Sequence, residues 1–190
     1  MRVQEPRVTR AENDELDARQ QAIVGDMNEV VRDLNLFRTM LNVPDAMTGL
    51  MGWGNYIQSA KNSLQGREKE IAILRVSFLT RCAYEWTHHV RIGLGAGLTE
   101  EEIEALKDKR PVHEWAERDA ALIAASDELV RDHFISSPTW DRVAAHYPLK
   151  TCMDIVFTVA HYAQVAKIAN SFGIQVDANA RYDEDVVDLE

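Results

Sequence analysis

Cys82, Glu85 and His89 stand at i, i+3 and i+7. At about 100° per residue they share one face of a helix. A thiol, a carboxylate and an imidazole in mutual reach can move protons near neutral pH, because histidine titrates there and a neighbouring carboxylate tunes it. The thiol could also act as a nucleophile where its surroundings lower its pKa. Phe78, Leu79 and Trp86 make those surroundings apolar. Ionisable groups are costly to bury in such company without partners, so the cluster reads as functional and is expected to open onto a mostly apolar cavity. Structural readings stand beside this one. Cys82 alone is an ordinary small buried hydrophobe, His88 and His89 could be a surface pair, and Glu85 with His89 is an i,i+4 pair that stabilises a helix by itself.

Tyr84, Trp86 and His88 on the same segment, and His161 beside Tyr162 further on, are candidates to line a substrate pocket. His113, His133 and His146 fall near element ends and read as structural. Metal binding is the weaker alternative. Cys82, Glu85, His88 and His89 offer donors, but H-E-x-x-H and C-x-x-C are both absent, and structural zinc favours two separated pairs of Cys and His. No metal and no cofactor is expected. The run Gly93 to Gly97 follows a helix rather than a strand, so it is not a dinucleotide fingerprint, and no G-x-S-x-G nucleophile elbow occurs.

The elements that position these groups are helical. Gly and Pro together number 14 of 190 residues, and periodic stretches are long, which predicts an all-α protein of about six to eight helices in one domain. A first helix is expected over residues 12–41, with Ile23, Met27, Val30, Val31, Leu34 and Phe37 as its stripe. A second is expected over residues 46–64, with Leu50, Trp53 and Ile57 inward and Gly66 as its end. Residues 68–96 carry Ile71, Leu74, Phe78, Cys82, Trp86 and Val90 at helical spacing, in one helix or in two with a bend near Thr80 and Arg81. Gly97 fits a C′ cap, and Thr99 with Glu102 makes a capping box for a short helix ending near Lys107. Pro111 opens the next segment. Further helices are expected over residues 115–133 and 137–145, the latter with Ser137 as N-cap. An apolar helix over residues 149–172, closed by Gly173, should be central. The division is thus a helical extension over residues 1–40, a domain over 41–175 and an acidic tail over 176–190. From Asp177 that tail holds six acids and one base, and reads as a solvated arm ahead of a strap across a partner subunit.

Composition narrows the function. The 31 acids outnumber the 21 bases, for a formal net charge of −10, which argues against nucleic acid and against an anionic membrane surface. No apolar run is long enough to span a bilayer. An N-terminus without a signal-peptide core and only two cysteines, Cys82 and Cys152, point to the cytoplasm.

The same segment resembles the carboxymuconolactone decarboxylase family, whose redox branch is alkylhydroperoxidase D. That branch has a Glu twelve residues before a C-x-x-C pair, a His four residues after its second Cys, and a Gly eight residues further on that opens G-L-S/T-E-E-I. Here Glu70, Cys82 and His89 match, Glu85 occupies the position of the second cysteine, and Gly97-Leu98-Thr99-Glu100-Glu101-Glu102-Ile103 follows. Trp140, Asp154, Tyr162 and Asn170-Ser171-Phe172-Gly173 resemble the second half of the family, so the likeness runs over about residues 40–175. It implies an alkylhydroperoxidase D-like bundle, assembled as a homo-oligomer (a trimer or hexamer), with its site near subunit contacts. Without the second cysteine no C-x-x-C thiol–disulfide cycle is available there. The pattern is more similar to the decarboxylase side. It implies a cofactor-independent enzyme doing acid–base chemistry, a decarboxylation or related lyase step, on a small organic acid or lactone. In that reading Glu85 and His89 are the acid–base pair, Glu70 orients or charge-balances His89, and Cys82 lines the pocket. The rivals are a thiol peroxidase of peroxiredoxin type at Cys82, resolved by an outside thiol, and a non-catalytic ligand-binding or assembly protein.

Overall fold

The computed structural model describes residues 3–107, 113–178 and 183–186, and within them the regular elements are all helical. After a 3-10 turn at Asn13–Glu15 come α1 (Ala18–Asp26), α2 (Asn35–Met40), α3 (Pro44–Gln58), α4 (Gly66–Leu79) and α5 (Ala83–Gly95). Then follow α6 (Glu100–Ala105), α7 (Glu117–Arg131), α8 (Ser137–His146) and α9 (Leu149–Phe172).

α4 is the centre. Nine successive residues, Lys69 to Ser77, are buried, as expected of a helix covered on all sides, and it packs against α5, α7 and α9. Its buried charges have partners, without which burial would be prohibitive. Lys69 Nζ donates to the carbonyl of Ile57 at 3.0 Å, and Arg75 donates to the carbonyl of Leu106 and to Asp127. Glu70 meets His89.

α4 and α5 are two helices, broken at Thr80–Cys82. Arg81 takes the left-handed conformation with φ 54°, unusual for a residue with a Cβ. The turn is pinned from three sides. Asn170 Nδ2 donates to the carbonyl of Thr80 at 2.8 Å, the Arg81 guanidinium lies 5.0 Å from the Phe78 ring centre, and it donates to the carbonyl of Asp185 at 2.7 Å. α5 therefore folds back along α4. Gly93 makes the approach close: a Cβ there would sit 3.0 Å from Leu98, 3.3 Å from Leu74 and 3.6 Å from the Glu70 Cβ. The Gly97 turn (φ +98°), the Thr99–Glu102 capping box and the long α9 ended by left-handed Gly173 are as the sequence predicts.

Other expectations are corrected. The single helix over residues 12–41 is absent. Asp17 and Gln20 form a capping box that starts α1 late, and Met27 turns extended at its end. Asn28 Oδ1 then accepts from the Val30 N–H, which leaves Val30 75% exposed and off the expected stripe. α3 stops at Gln58, and Gly66, with φ +54°, opens α4 instead of closing α3. The intervening loop is held by Asp154, which accepts from the Ser63 N–H and hydroxyl at 2.7 Å each. Trp53, expected inward, is 40% exposed. The N-cap of α8 is Ser136 rather than Ser137. The number of helices rises to nine among the described residues, chiefly because the N-terminal stretch is divided. Pro111 lies outside the described residues.

The described tail residues are not a solvated arm. Asp177 accepts from the backbone N–H of Asn35 and from the Tyr84 hydroxyl, Asp183 accepts from the Trp86 indole N–H, and Val186 is fully buried in the core that holds Trp86. Lys107 bridges Glu104, Asp183 and Asp185 while its Nζ lies 5.3 Å from the Trp86 ring centre.

Candidate active site

His89 lies between two carboxylates. Its Nδ1 is 2.7 Å from Glu70 on α4, and its Nε2 is 3.5 Å from Glu85, one turn back on α5. All three residues are buried, with 4% of Glu70, 5% of Glu85 and 7% of His89 exposed. Burial opposes charge on the imidazole. The hydrogen bonds and charges of Glu70 and Glu85 outweigh it and hold the pKa up at about 9. At neutral pH His89 is thus an imidazolium with each N–H turned to a carboxylate. Tyr162 on α9 stands edge-on to it at 5.0 Å and accepts a hydrogen bond from the Gln58 side chain. Burial and the two carboxylates push the Tyr162 phenol well above its ordinary value, so it stays neutral. His161, next on α9, stands edge-on to Tyr162 at 5.4 Å, and burial draws its imidazole below the ordinary value although Glu85 pulls the other way.

Cys82 belongs to a different environment. It is the N-cap of α5, fully buried in the second apolar cluster beside residues such as Leu41, Met47 and Ala166. Burial, and then the nearby Glu85 charge, push its thiol up to about 12. A helix N-terminus ordinarily favours a thiolate, but desolvation wins here. Cys152 is buried in the other cluster, donates to the Tyr147 carbonyl at 3.4 Å, and like Cys82 is free.

The remaining candidates divide. His161 joins the His89 group. Tyr84 and His88 instead hold Asp177, each 2.9 Å from its Oδ2, and Trp86 holds Asp183 at 3.0 Å. A cavity of about 900 Å³ lies between α5 and the tail, lined by Trp86, Thr87, His88, Arg91, Lys107 and Asp177 among others. Thr87 and Arg91 sit about half a turn around α5 from Glu85 and His89. This cavity therefore opens on the face of α5 away from the polar cluster. Among the described residues no group of three or more His, Cys, Asp or Glu side chains is placed to hold a metal ion, and no helix is long and apolar enough to cross a membrane.

Sequence reasoning missed Gln58 and Gly54, which α3 brings to Tyr162 and His161. Neither residue type signals chemistry, and only the packing of α3 on α9 selects them. It also left unassigned the role of Asp154, which accepts from Tyr56 and Ser63, pairs with Lys150 and has its pKa lowered to about 2. These bonds fix the loop that joins α3 to α4.

Residues 44–127 match the carboxymuconolactone decarboxylase family. No curated relative matches the chain. Solved structures share its fold. The alkylhydroperoxidase AhpD core of a peroxidase-related protein from Ralstonia eutropha is 15% identical, with 91% of this chain and 93% of that chain covered and a TM-score of 0.78. A peroxidase-related protein from Silicibacter sp. is 14% identical over 94% of this chain and 95% of that chain, with a TM-score of 0.75. The debrominase Bmp8 is 16% identical over 90% and 92%, with a TM-score of 0.68, and a cysteine-to-alanine variant of it has been solved with 2,3,4-tribromopyrrole. The chain has the alkylhydroperoxidase D-like fold, and the carboxymuconolactone decarboxylase family is similar to it over residues 44–127.

Proposed function

We propose that the protein is a cofactor-independent enzyme that moves protons on a small organic acid or lactone, in a decarboxylation or related lyase step, through the Glu85–His89 pair. The observation that carries this reading is the buried imidazole of His89 set between Glu70 and Glu85, whose hydrogen bonds and charges favour its protonated form. Its Nε2–H is the proton to be given, to a carbonyl oxygen or to the carbon that loses carbon dioxide. Glu70 fixes the ring through Nδ1, and Glu85 pairs with the donating nitrogen. The charge that builds on the substrate is met by a proton already in place, in a site from which water is largely excluded. Cys82 contributes apolar packing in the second cluster, apart from the pair. A thiol peroxidase would need a thiolate, and a fully buried sulfur with a raised pKa is poorly suited to form one.

The enzyme works in the cytoplasm as a homo-oligomer, a trimer or hexamer. Trp53 on α3 and Leu149 and Met153 on α9 support assembly, since they remain 40%, 69% and 46% exposed. Sedimentation at the single-chain mass of 21.6 kDa, at micromolar concentration, would contradict it.

Turnover of a panel of lactones and β-keto acids by four proteins tests the chemistry. Glu85→Gln and His89→Asn should each abolish the activity of the wild type, while Cys82→Ser keeps a substantial fraction. An inactive Cys82→Ser, together with wild-type consumption of an organic hydroperoxide with added dithiol, would establish the peroxidase instead.

A further inference from the structure

His161 is an ionisable group of the site whose Nδ1 has no hydrogen-bond partner among the described residues. Only 7% of the residue is exposed, and its Nδ1 is buried without a hydrogen bond. Buried polar atoms in folded proteins ordinarily have a hydrogen-bond partner, so this nitrogen is free to meet a polar group of a bound molecule. Several elements face it. α5 presents Glu85, whose charge acts on the ring. Tyr162 of its own helix stands edge-on. α3 meets the ring with the bare backbone of Gly54, where a Cβ would lie 3.4 Å from Cε1 and Nε2. Glu70 and Lys69 of α4 act on each other, and Glu70 also acts on His89.

His89 is committed differently. With a carboxylate at each ring nitrogen it holds a proton at neutral pH and can only donate it. A proton shift beside a carbonyl also needs an acceptor. Building on the proton-transfer reading above, we infer that His161 is that acceptor, a second catalytic histidine acting on an enolisable carbonyl compound or lactone. Its unprotonated ring nitrogen takes a proton from the carbon α to the carbonyl while His89 Nε2–H donates to the carbonyl oxygen. The C–H electron pair becomes the new C=C bond, and the carbonyl π pair becomes the O–H bond. No electrons enter or leave. His161 is then an imidazolium and His89 a neutral imidazole. Return of the His161 proton to the γ carbon of an unsaturated substrate, with the enol proton going back to His89, completes a 1,3-shift. Burial keeps the His161 ring unprotonated at neutral pH, as this role requires.

The test uses the full-length protein and α-angelica lactone, an unconjugated butenolide, in D2O, with deuterium uptake and the conjugated isomer followed by proton NMR. For the wild type the rate should rise through a pKa below about 6.5 and fall near 9, the value of His89. His161→Gln should lower the rate at pH 7 by ~100-fold and remove the rising limb. A variant that keeps this limb and most of the rate overturns the assignment, while an inactive His89→Asn would leave the proton-transfer reading standing. If His89→Asn and Glu85→Gln exchange the probe like the wild type, that underlying reading falls. No exchange by the wild type above buffer rejects both. Should His161→Gln fail to fold, diethyl pyrocarbonate treatment of the wild type at pH 6.5 decides. Mass spectrometry should find His161 modified ahead of His89, with exchange lost in step. Exchange that survives complete modification of His161 refutes the inference.

Discussion

His88 and His89 are neighbours on α5, and each meets a carboxylate, at 2.9 Å for Asp177 and 2.7 Å for Glu70. Their settings differ in every other respect. The side chain of His88 keeps 21% of its surface, and its partner comes from the tail, 89 residues away. Asp177 also draws on the Tyr84 hydroxyl and the Asn35 N–H, and despite burial its pKa is lowered by these donors and by His88. The pair fastens a segment to a helix. His89 keeps 9% of its side-chain surface and has a second carboxylate on its other nitrogen. In the function proposed above it is a proton source set into the core. About 100° of rotation about a helix axis separates a clamp from a candidate catalytic acid. A histidine–carboxylate pair therefore says little until the second nitrogen is accounted for.

Replacing each histidine by asparagine should break this equivalence most sharply. His89→Asn is expected to lower turnover by ~10²–10⁴, and His88→Asn to leave it within ~3-fold, when both are assayed at saturating substrate. Comparable losses would mean that the two faces of α5 are not distinct.

The next effect is on stability. The pKa of His89 is raised in the folded protein, from an ordinary 6.5 to about 9. Its contribution is therefore fully present below pH 6.5 and is lost as pH rises through 9. By linkage it amounts to about 3 kcal/mol. Denaturant titrations of the wild type and of His89→Asn should converge between these limits, and a constant gap from pH 6 to 10 would argue against the raised value.

On the outer face, Asp177→Asn should cost ~1–2 kcal/mol by weakening the bonds to His88 and Tyr84, with turnover unchanged. Urea midpoints and initial rates check the two halves of that expectation. Smallest of all is Gly93→Ala. Its Cβ would meet Leu98 at 3.0 Å and Leu74 at 3.3 Å, so these side chains must give by a few tenths of an ångström. A loss of ~1 kcal/mol and a slight lengthening of the Glu70–His89 contact should follow, visible as a small fall in the pH at which turnover declines.

Much of the inner face was legible in the sequence. Glu70 and His89 lie 19 residues apart, on two segments whose period is helical, and the Gly97 turn and Thr99 capping box fixed where the second of them ends. The placement of Cys82 was not legible. Its helical phase puts it near Glu85, but as the N-cap it precedes the helix and turns into another cluster. The outer face was hidden for a different reason. Asp177 and Asp183 belong to a run of acids that reads as solvated. Their donors, Tyr84, His88, Trp86 and Lys107, lie on α5 and just after α6, and no local pattern links them to the tail. The N-terminal stripe failed because the spacing of apolar residues outvoted the Asp17–Gln20 cap and the Asn28 turn, which together divide it.

The claim on which the account rests is that His89 carries a proton at neutral pH because two buried carboxylates hold it. Imidazole nitrogen NMR of the uniformly labelled wild type, with His89 assigned by comparison with His89→Asn, measures that directly. The account predicts that both ring nitrogens of His89 remain protonated through pH 7.5 and that the ring titrates near 9. A His89 that loses its proton at or below about 6.5, the value of a free histidine, would contradict it.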